Sequence, residues 1–544
     1  MSQINIRPQK YEADVIIIGG GLAGITAAAD LIERGAKVLL LDRDKPQRFG
    51  GLAKESFGGI MIVDTPEQRR LGIKDSAEIA LQDWLRYAEF SKNDYWPEKW
   101  AEVYVNTSLE TIYHWLKKRK VDFLPLPNWP ERGLLQKGNS LPRWHIVWGT
   151  GHELVACVVR QIQACAHADH LSLKFEHAVS GLSTKAGEIN GCFGIIENTA
   201  EPFEAVADLV IIATGGICGG DLAKVRENWP AERGKAPDRL LNGSHRYADG
   251  GMHDVVGQHG GKITHLDKQW HYAAGIPHPN PDRPHHGLSL LPPRSALWVN
   301  ALGQRIGPRP LQGYTDTSYL VEEICKQPGQ YSWQILNKKI ALKELAVSGA
   351  EYMSAFKNKK KLRLIRNLIF GNHQLYNRLV KEAGDMLIAN DLDSLVQKMN
   401  ALEESHQVDC QTLKNEVSAF DAEIDKGAAG VTDEQLRRIV EVRKYKADRL
   451  RTCNLQKIND PKAGPLVAFR EFILTRKSLG GIQTDLQCRV LDYQGEPIPG
   501  LFAVGEAAGF GGGGIHGKRS LEGTFLGGCI LTGRAAARSI IQHT

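Results

Sequence analysis

The feature that most constrains this chain is its first apolar run, together with the glycine-rich turn behind it. After Asp14, Val15-Ile16-Ile17-Ile18 is the short, wholly apolar run expected of a parallel strand buried on both faces. It ends in Gly19-Gly20-Gly21-Leu22-Ala23-Gly24, a G-x-G-x-x-G turn. TAAADLIER then reads as a helix stopped by Gly35, and Lys37 to Leu41 as a second apolar strand closed by Asp42, eighteen residues beyond Gly24. Each part suits a dinucleotide. The glycines make the tight turn and let backbone approach a pyrophosphate, the helix N-terminus offers free N–H groups, and the acid accepts ribose hydroxyls. A glycine turn in an unrelated α/β unit is the competing reading. The complete order of strand, turn, helix, strand and acid weighs against it.

The bulk composition is that of a globular chain, with 42% hydrophobic and 24% charged residues in 544. That length allows more than one domain and a generous core. A net charge of +6 argues for no nucleic-acid partner. Nine cysteines, an odd number without a CxxC, suit reduced thiols in a cytoplasmic protein and no structural zinc. The N-terminal MSQINIRPQKYEAD has no apolar signal core, and no run of some twenty apolar residues is present to span a membrane.

Later segments choose among dinucleotides. Gly50-Gly51-Leu52-Ala53-Lys54-Glu55-Ser56-Phe57-Gly58-Gly59 follows the second strand as a loop with glycine doublets at both ends. LVIIATGG (209–216) is another buried strand running into a small-residue turn, and PGLFAVGEAAG (499–509) a further strand leading into Gly505-Glu506. Together these resemble the flavoprotein family that includes fumarate reductase, succinate dehydrogenase and 3-ketosteroid dehydrogenases. The resemblance covers most of the chain and implies FAD. It implies cofactor contacts at Gly19, Gly21, Leu22, Ala23 and Gly24, and at Asp42 and Arg43 near the adenosine ribose. Along the ring system it implies Gly50, Gly51, Leu52, Ser56, Gly58 and Gly59, then Ala213, Thr214 and Gly215, Asp249, Gly505, Glu506, Ser520 and Thr524. The loop around Lys54 to Ser56 lacks the histidine that carries covalent flavin in membrane succinate dehydrogenases, so the flavin is expected to be non-covalent. There is no second G-x-G-x-x-G for NAD(P)H, so electrons are expected to pass to or from a diffusible carrier.

The flavin motifs lie at both ends of the chain. The expected fold is therefore α/β, a Rossmann-like FAD-binding domain (1–262 and 456–544) interrupted by an α+β substrate-capping domain (263–455). HRYADGGMHDVVGQHGGKI (245–263) resembles the family's helix before the cap, starting at Asp249-Gly250, and ALWVNALGQRIG (296–307) its strand-turn-strand. Residues 320–455 read mainly as helices. Within them KNKKKLRLIRNLIF (357–370) places Leu362, Ile365, Leu368 and Ile369 on one face of a basic helix. It reads as a solvated helix with its apolar side in the cap; peripheral contact with a membrane surface is the alternative.

Near the C-terminus GFGGGGIHGKRSLEGTFLGG (509–528) has nine glycines in twenty residues, too many for anything but a linker or a backbone pressed against a neighbour. It feeds the small-residue helix GTFLGGCILTGRAAARSII, which in the family points at the flavin pyrimidine, and the glycines are expected to allow close approach to the ring. The family's fumarate reductases resemble H-G-x-N-R-L-G-G-N here; this chain has Ser520 where their arginine stands and Thr524 in place of the last asparagine. The ketosteroid enzymes' Y-P-G-P-G-A-T-I-G-P aligns through Gly523-Thr524, with Arg519 replacing the tyrosine. The resemblance thus implies a branch beside the ketosteroid dehydrogenases. Its expected chemistry introduces or removes a C–C double bond adjacent to a carbonyl. Gly523 N–H and Arg519 are the candidate donors to the carbonyl oxygen, and Tyr314, its pKa lowered by neighbouring cations, the candidate base. Arginine there would suit a carboxylate or polar ketone. His271, Tyr272, Arg294 and His516 are weaker candidates for lining a small-molecule substrate, and no metal is expected. A fumarate-type enoate reductase and a non-catalytic flavin-binding electron carrier are the alternative readings.

Overall fold

A computed structural model describes residues 7–403 and 405–543. The expectation that the N-terminus carries no signal core falls partly on residues 1–6, which lie outside the described residues. Val15–Ile18 forms β1, Leu22–Ile32 forms α1 and Val38–Leu41 forms β2, with Leu171–Lys174 (β3) and Leu209–Ile212 (β4) coming next in this sheet. After the helix α2 (Gly251–Gln258) the chain leaves this sheet and builds β5 (Gln269–Pro277), β6 (Tyr331–Asn337) and β7 (Leu466–Ser478). It returns for β8 (Arg489–Leu491) and β9 (Pro497–Ala503) and ends in α3 (Thr524–His543).

The first sheet has the order β8-β9-β4-β1-β2-β3. All its pairs are parallel except β8 with β9. β1, β2 and β4 are apolar because both faces are covered. On one side α1 and α3 pack under Ile17, Leu40 and Ile211, and on the other Ile16, Leu39 and Val210 meet the sheet built by Glu188–Ile196 and Glu201–Val206. Gly24 is where α1 comes closest to β1: a Cβ there would stand 2.1 Å from the Gly19 carbonyl oxygen.

The second sheet takes strands from both sides of residue 456. Its central strand is β7, thirteen residues flanked by antiparallel β5 and β6, and Leu241–Asn242 and Met386–Ala389 also pair with it. β7 lies beyond residue 456 and meets the flavin segments at its C-terminal end, where Ser478 N–H donates to Glu506 and Gly481, just beyond, sits against Ala507 and Gly509. Helices dominate 320–455 as expected, and they cover this sheet with two apolar layers.

The basic segment also departs from expectation. Lys361–Phe370 is helical, but no residue of it is buried. Leu362, Ile365, Ile369 and Phe370 point outward, whereas Leu364 and Leu368 face the protein.

Candidate active site

A cleft of about 370 Å³ runs from the C-terminal ends of β1, β2 and β4 to the N-terminus of α3. Backbone at these strand ends and at the helix start carries unpaired N–H groups, which is why a phosphate-bearing ligand settles there. Gly19, Gly21, Leu22, Ala23, Asp42, Arg43, Gly51, Leu52, Ser56, Gly58, Gly59, Ala213, Thr214, Gly215, Asp249 and Glu506 line it. Gly24, Gly50 and Gly505 stand one layer behind. Gly50 N–H donates to the Gly20 carbonyl (3.0 Å), and Gly505 N–H donates to Thr532 Oγ1 (2.9 Å).

The residues fit a dinucleotide. Nothing lies within 4 Å of where a Cβ on Gly21 would stand, so the turn opens on free space at the α1 N-terminus. The Asp42 carboxylate accepts from Gly20 N–H (3.1 Å) and Asp44 N–H (2.8 Å), which fixes it at the end of β2. Arg43 bridges Glu197 (2.7 Å) and Asp249 (3.2 Å) at the same end. Glu506 accepts from Ser478 N–H (2.9 Å); burial pushes its carboxyl up to about 7, against the pull of Lys477.

At the other end the side chains differ from those expected. Tyr272, Arg476, Lys477, Glu522, Gly523 and Phe525 close the cleft. Tyr272 donates its hydroxyl to Glu522 Oε1. Burial lowers the Lys477 ammonium to about 8, although Glu522 and Glu506 oppose that shift. Its Nζ lies 4.1 Å from the Phe525 ring centre. Gly523 has φ +96°, a backbone conformation that penalises any Cβ, and its carbonyl accepts from Met61 N–H (2.9 Å). Its own N–H donates to no group among the described residues. A side pocket shares Phe57, Trp144, Tyr272, Ser348 and Glu522 with the cleft and is otherwise mostly apolar, with Leu290, Leu291, Leu320 and Pro130. Tyr314 opens on this pocket, its hydroxyl buried beside Arg451.

Several expected site residues are elsewhere. Arg519 is absent from the cleft lining and pairs with Glu89 (2.7 Å). His516 Nε2 and Ser520 Oγ both hydrogen-bond Thr524 Oγ1 (2.8 and 2.9 Å), and the three form a buried brace under α3. His516 also stacks on Trp84, and burial lowers its pKa to about 3, so it is a neutral structural ring. His271 stacks on Trp229 and contacts Gln269 (3.0 Å). Arg294 is held by Asp448 (2.6 Å). Arg451 and Arg294 do act on Tyr314 as expected, but burial outweighs them and its pKa is raised, not lowered.

Most of the glycine run is backbone pressed against the protein itself. A Cβ on Gly511 would lie 2.8 Å from Trp100 Cγ, and the Trp84 indole donates to the Ile515 carbonyl (2.9 Å). Only Phe510, Glu522, Gly523, Phe525 and Leu526 of that stretch reach the cleft. Of the residues closing the cleft, Arg476, Lys477, Glu522 and Phe525 were not assigned from sequence. Charged residues crowd both segments, TRKS and KRSLE, so nothing in the sequence singles them out.

The family model described as "FAD binding domain" matches residues 14–526. The chain belongs to this FAD-binding family. A KsdD-like steroid dehydrogenase of Mycobacterium tuberculosis strain H37Rv is 42% identical over 551 residues, covering 97% of this chain and 96% of the relative. A KsdD-like steroid dehydrogenase of Mycolicibacterium smegmatis is 43% identical over 535 residues, covering 95% and 96%. The solved 3-ketosteroid delta1-dehydrogenase of Sterolibacterium denitrificans, in complex with 1,4-androstadiene-3,17-dione, has the same fold: TM-score 0.72, 16% identity, 98% of this chain and 100% of that one. This member of the FAD-binding family is an FAD-dependent oxidoreductase of mixed α/β fold.

Proposed function

We propose that this protein is a 3-ketosteroid dehydrogenase-like enzyme that introduces or removes a C–C double bond adjacent to a carbonyl of an apolar ring ketone. The first sheet is the Rossmann-like half that holds FAD without a covalent bond, and the second sheet with its helices caps the substrate. When bound, FAD supplies the two-electron partner for the hydrogen on the β-carbon. Gly523 N–H donates to the substrate carbonyl oxygen, and Lys477 adds positive charge as that oxygen becomes enolate-like. The α-proton goes to the Tyr272 hydroxyl as this passes its own proton to Glu522. That relay needs no free phenolate, which burial and the Glu522 charge both disfavour in Tyr272. Tyr314 offers its hydroxyl, beside Arg451, to the substrate from the side pocket.

The observation that carries this reading is the hydrogen-bonded Tyr272–Glu522 pair on the wall shared by the cleft and the apolar side pocket. The substrate class rests on the kinship to KsdD-like steroid dehydrogenases and on that apolar lining. Anaerobic addition of a saturated 3-ketosteroid should bleach the visible flavin absorbance. In the Tyr272→Phe and Glu522→Gln variants bleaching should slow by about 10²–10⁴-fold, the range of general acid–base catalysis, with flavin content unchanged. A variant that bleaches at the wild-type rate removes its residue from the relay.

A further inference from the structure

The helix Lys361–Phe370 shows its apolar stripe to solvent. Leu364, Asn367 and Leu368 face inward and line a small cavity with Tyr352, Met353 and Phe356. The opposite stripe, spaced i, i+3, i+4, i+7, i+8, is Leu362, Ile365, Arg366, Ile369 and Phe370. Its four apolar members are 86%, 53%, 66% and 69% exposed. A folded chain gains by burying such a stripe, so one left outside and in register along a helix is placed for a partner.

The charge around it says which partner. Lys357, Lys359, Lys360, Lys361, Arg363 and Arg366 surround the stripe, and residues 354–372 contain no Asp or Glu. Lys359 is held by Glu153 (2.9 Å) and Arg363 by Gln374. Lys360, Lys361 and Arg366 have no ion-pair partner among the described residues. We propose that this helix docks the protein on the surface of an anionic phospholipid bilayer, its apolar stripe at the boundary of headgroups and acyl chains and its Lys and Arg side chains among the phosphates. A second copy of the chain suits the surface less well, because a two-fold contact would set these cations against themselves with no acid between them. The docked face lies close to the site already described. Phe356, just before the helix, packs on Phe57 (ring centres 5.0 Å apart), and Phe57 lines both the cleft and its side pocket. The proposal holds whatever the substrate is.

The test is co-sedimentation of the flavin-loaded full chain with vesicles of phosphatidylcholine alone and of phosphatidylcholine containing one third phosphatidylglycerol. Binding to the anionic vesicles should exceed binding to the neutral ones by on the order of tenfold and weaken as salt is raised. A variant carrying Leu362→Ser, Ile365→Ser, Ile369→Ser and Phe370→Ser should stay in the supernatant with its flavin absorbance intact, and Lys360→Glu with Lys361→Glu should behave likewise. Wild-type protein left in the supernatant with both vesicle types overturns the proposal, as does undiminished binding by the serine variant. Light scattering that finds a dimer in the wild type and a monomer in the serine variant assigns the stripe to a second copy instead.

Discussion

At the scale of single residues, neighbours in sequence have unlike roles. Gly523 lines the cleft at φ +96°, and a Cβ there would lie 2.4 Å from Trp144 Cδ1 and 2.6 Å from Met61 N. Met61 cannot retreat, because its N–H is already bonded to the Gly523 carbonyl. Gly523→Ala is therefore expected to abolish steady-state turnover. Arg519, four residues earlier, spends its charge on Glu89 at the edge of the fold. A partly exposed ion pair is worth about 0–1 kcal/mol, so Arg519→Ala should leave kcat/KM within about fivefold of wild type. Measuring the two variants side by side separates the structural site from one read off sequence alignment. A thousandfold loss in Arg519→Ala would return the arginine to the substrate. The glycine was legible in the sequence because its backbone conformation leaves a residue-type signature. The pairing of Arg519 with Glu89 was not, because nothing in a linear motif says which way a side chain turns.

At the scale of elements, β7 carries an anomaly that has a measurable consequence. Glu471 is fully buried between β5 and β6 with neither carboxylate oxygen hydrogen-bonded. Burial holds its carboxyl far above its ordinary 4.5, so the folded protein keeps the proton and the unfolded chain releases it. A folded pKa above the unfolded one means stability falls as pH rises past about 4.5, by about 1.4 kcal/mol per pH unit until the folded group itself ionises. Glu471→Gln removes that titration. Its melting temperature should exceed that of the wild type near pH 8, with the difference shrinking toward pH 5. Equal differences at both pH values would place the carboxylate in water or against an unseen cation. The sequence of β7 reads as a buried strand from its apolar residues. Its membership in the second sheet depends on pairing with β5 and β6, well over a hundred residues away in chain order.

At the scale of the whole molecule, the cleft is assembled from both ends of the chain: β1, β2 and β4 from the first half, Glu506 and the α3 N-terminus from the last forty residues. A ligand held by both ends binds the folded chain and not the unfolded one. Added FAD should raise the melting temperature of the apoprotein in proportion to the logarithm of its concentration, by about 2.7 kcal/mol of stability at a hundred times its Kd. A melting temperature indifferent to FAD would mean that the cleft does not hold it. What the sequence determined by itself is the nucleotide half of this site. Its strands, turns and helix starts are local, and a β-α-β unit with glycines at fixed offsets leaves little freedom in what its backbone can approach. Tertiary structure alone decided the reacting half. Tyr272 and Glu522, two hundred and fifty residues apart, meet across the wall of the cleft. Lys477 feels the charges of Glu522 and Glu506, Arg519 is drawn away by Glu89, and the stripe on Lys361–Phe370 points outward. In each case a side chain's environment is set by segments distant in the chain, and spacing along the sequence carries no record of them.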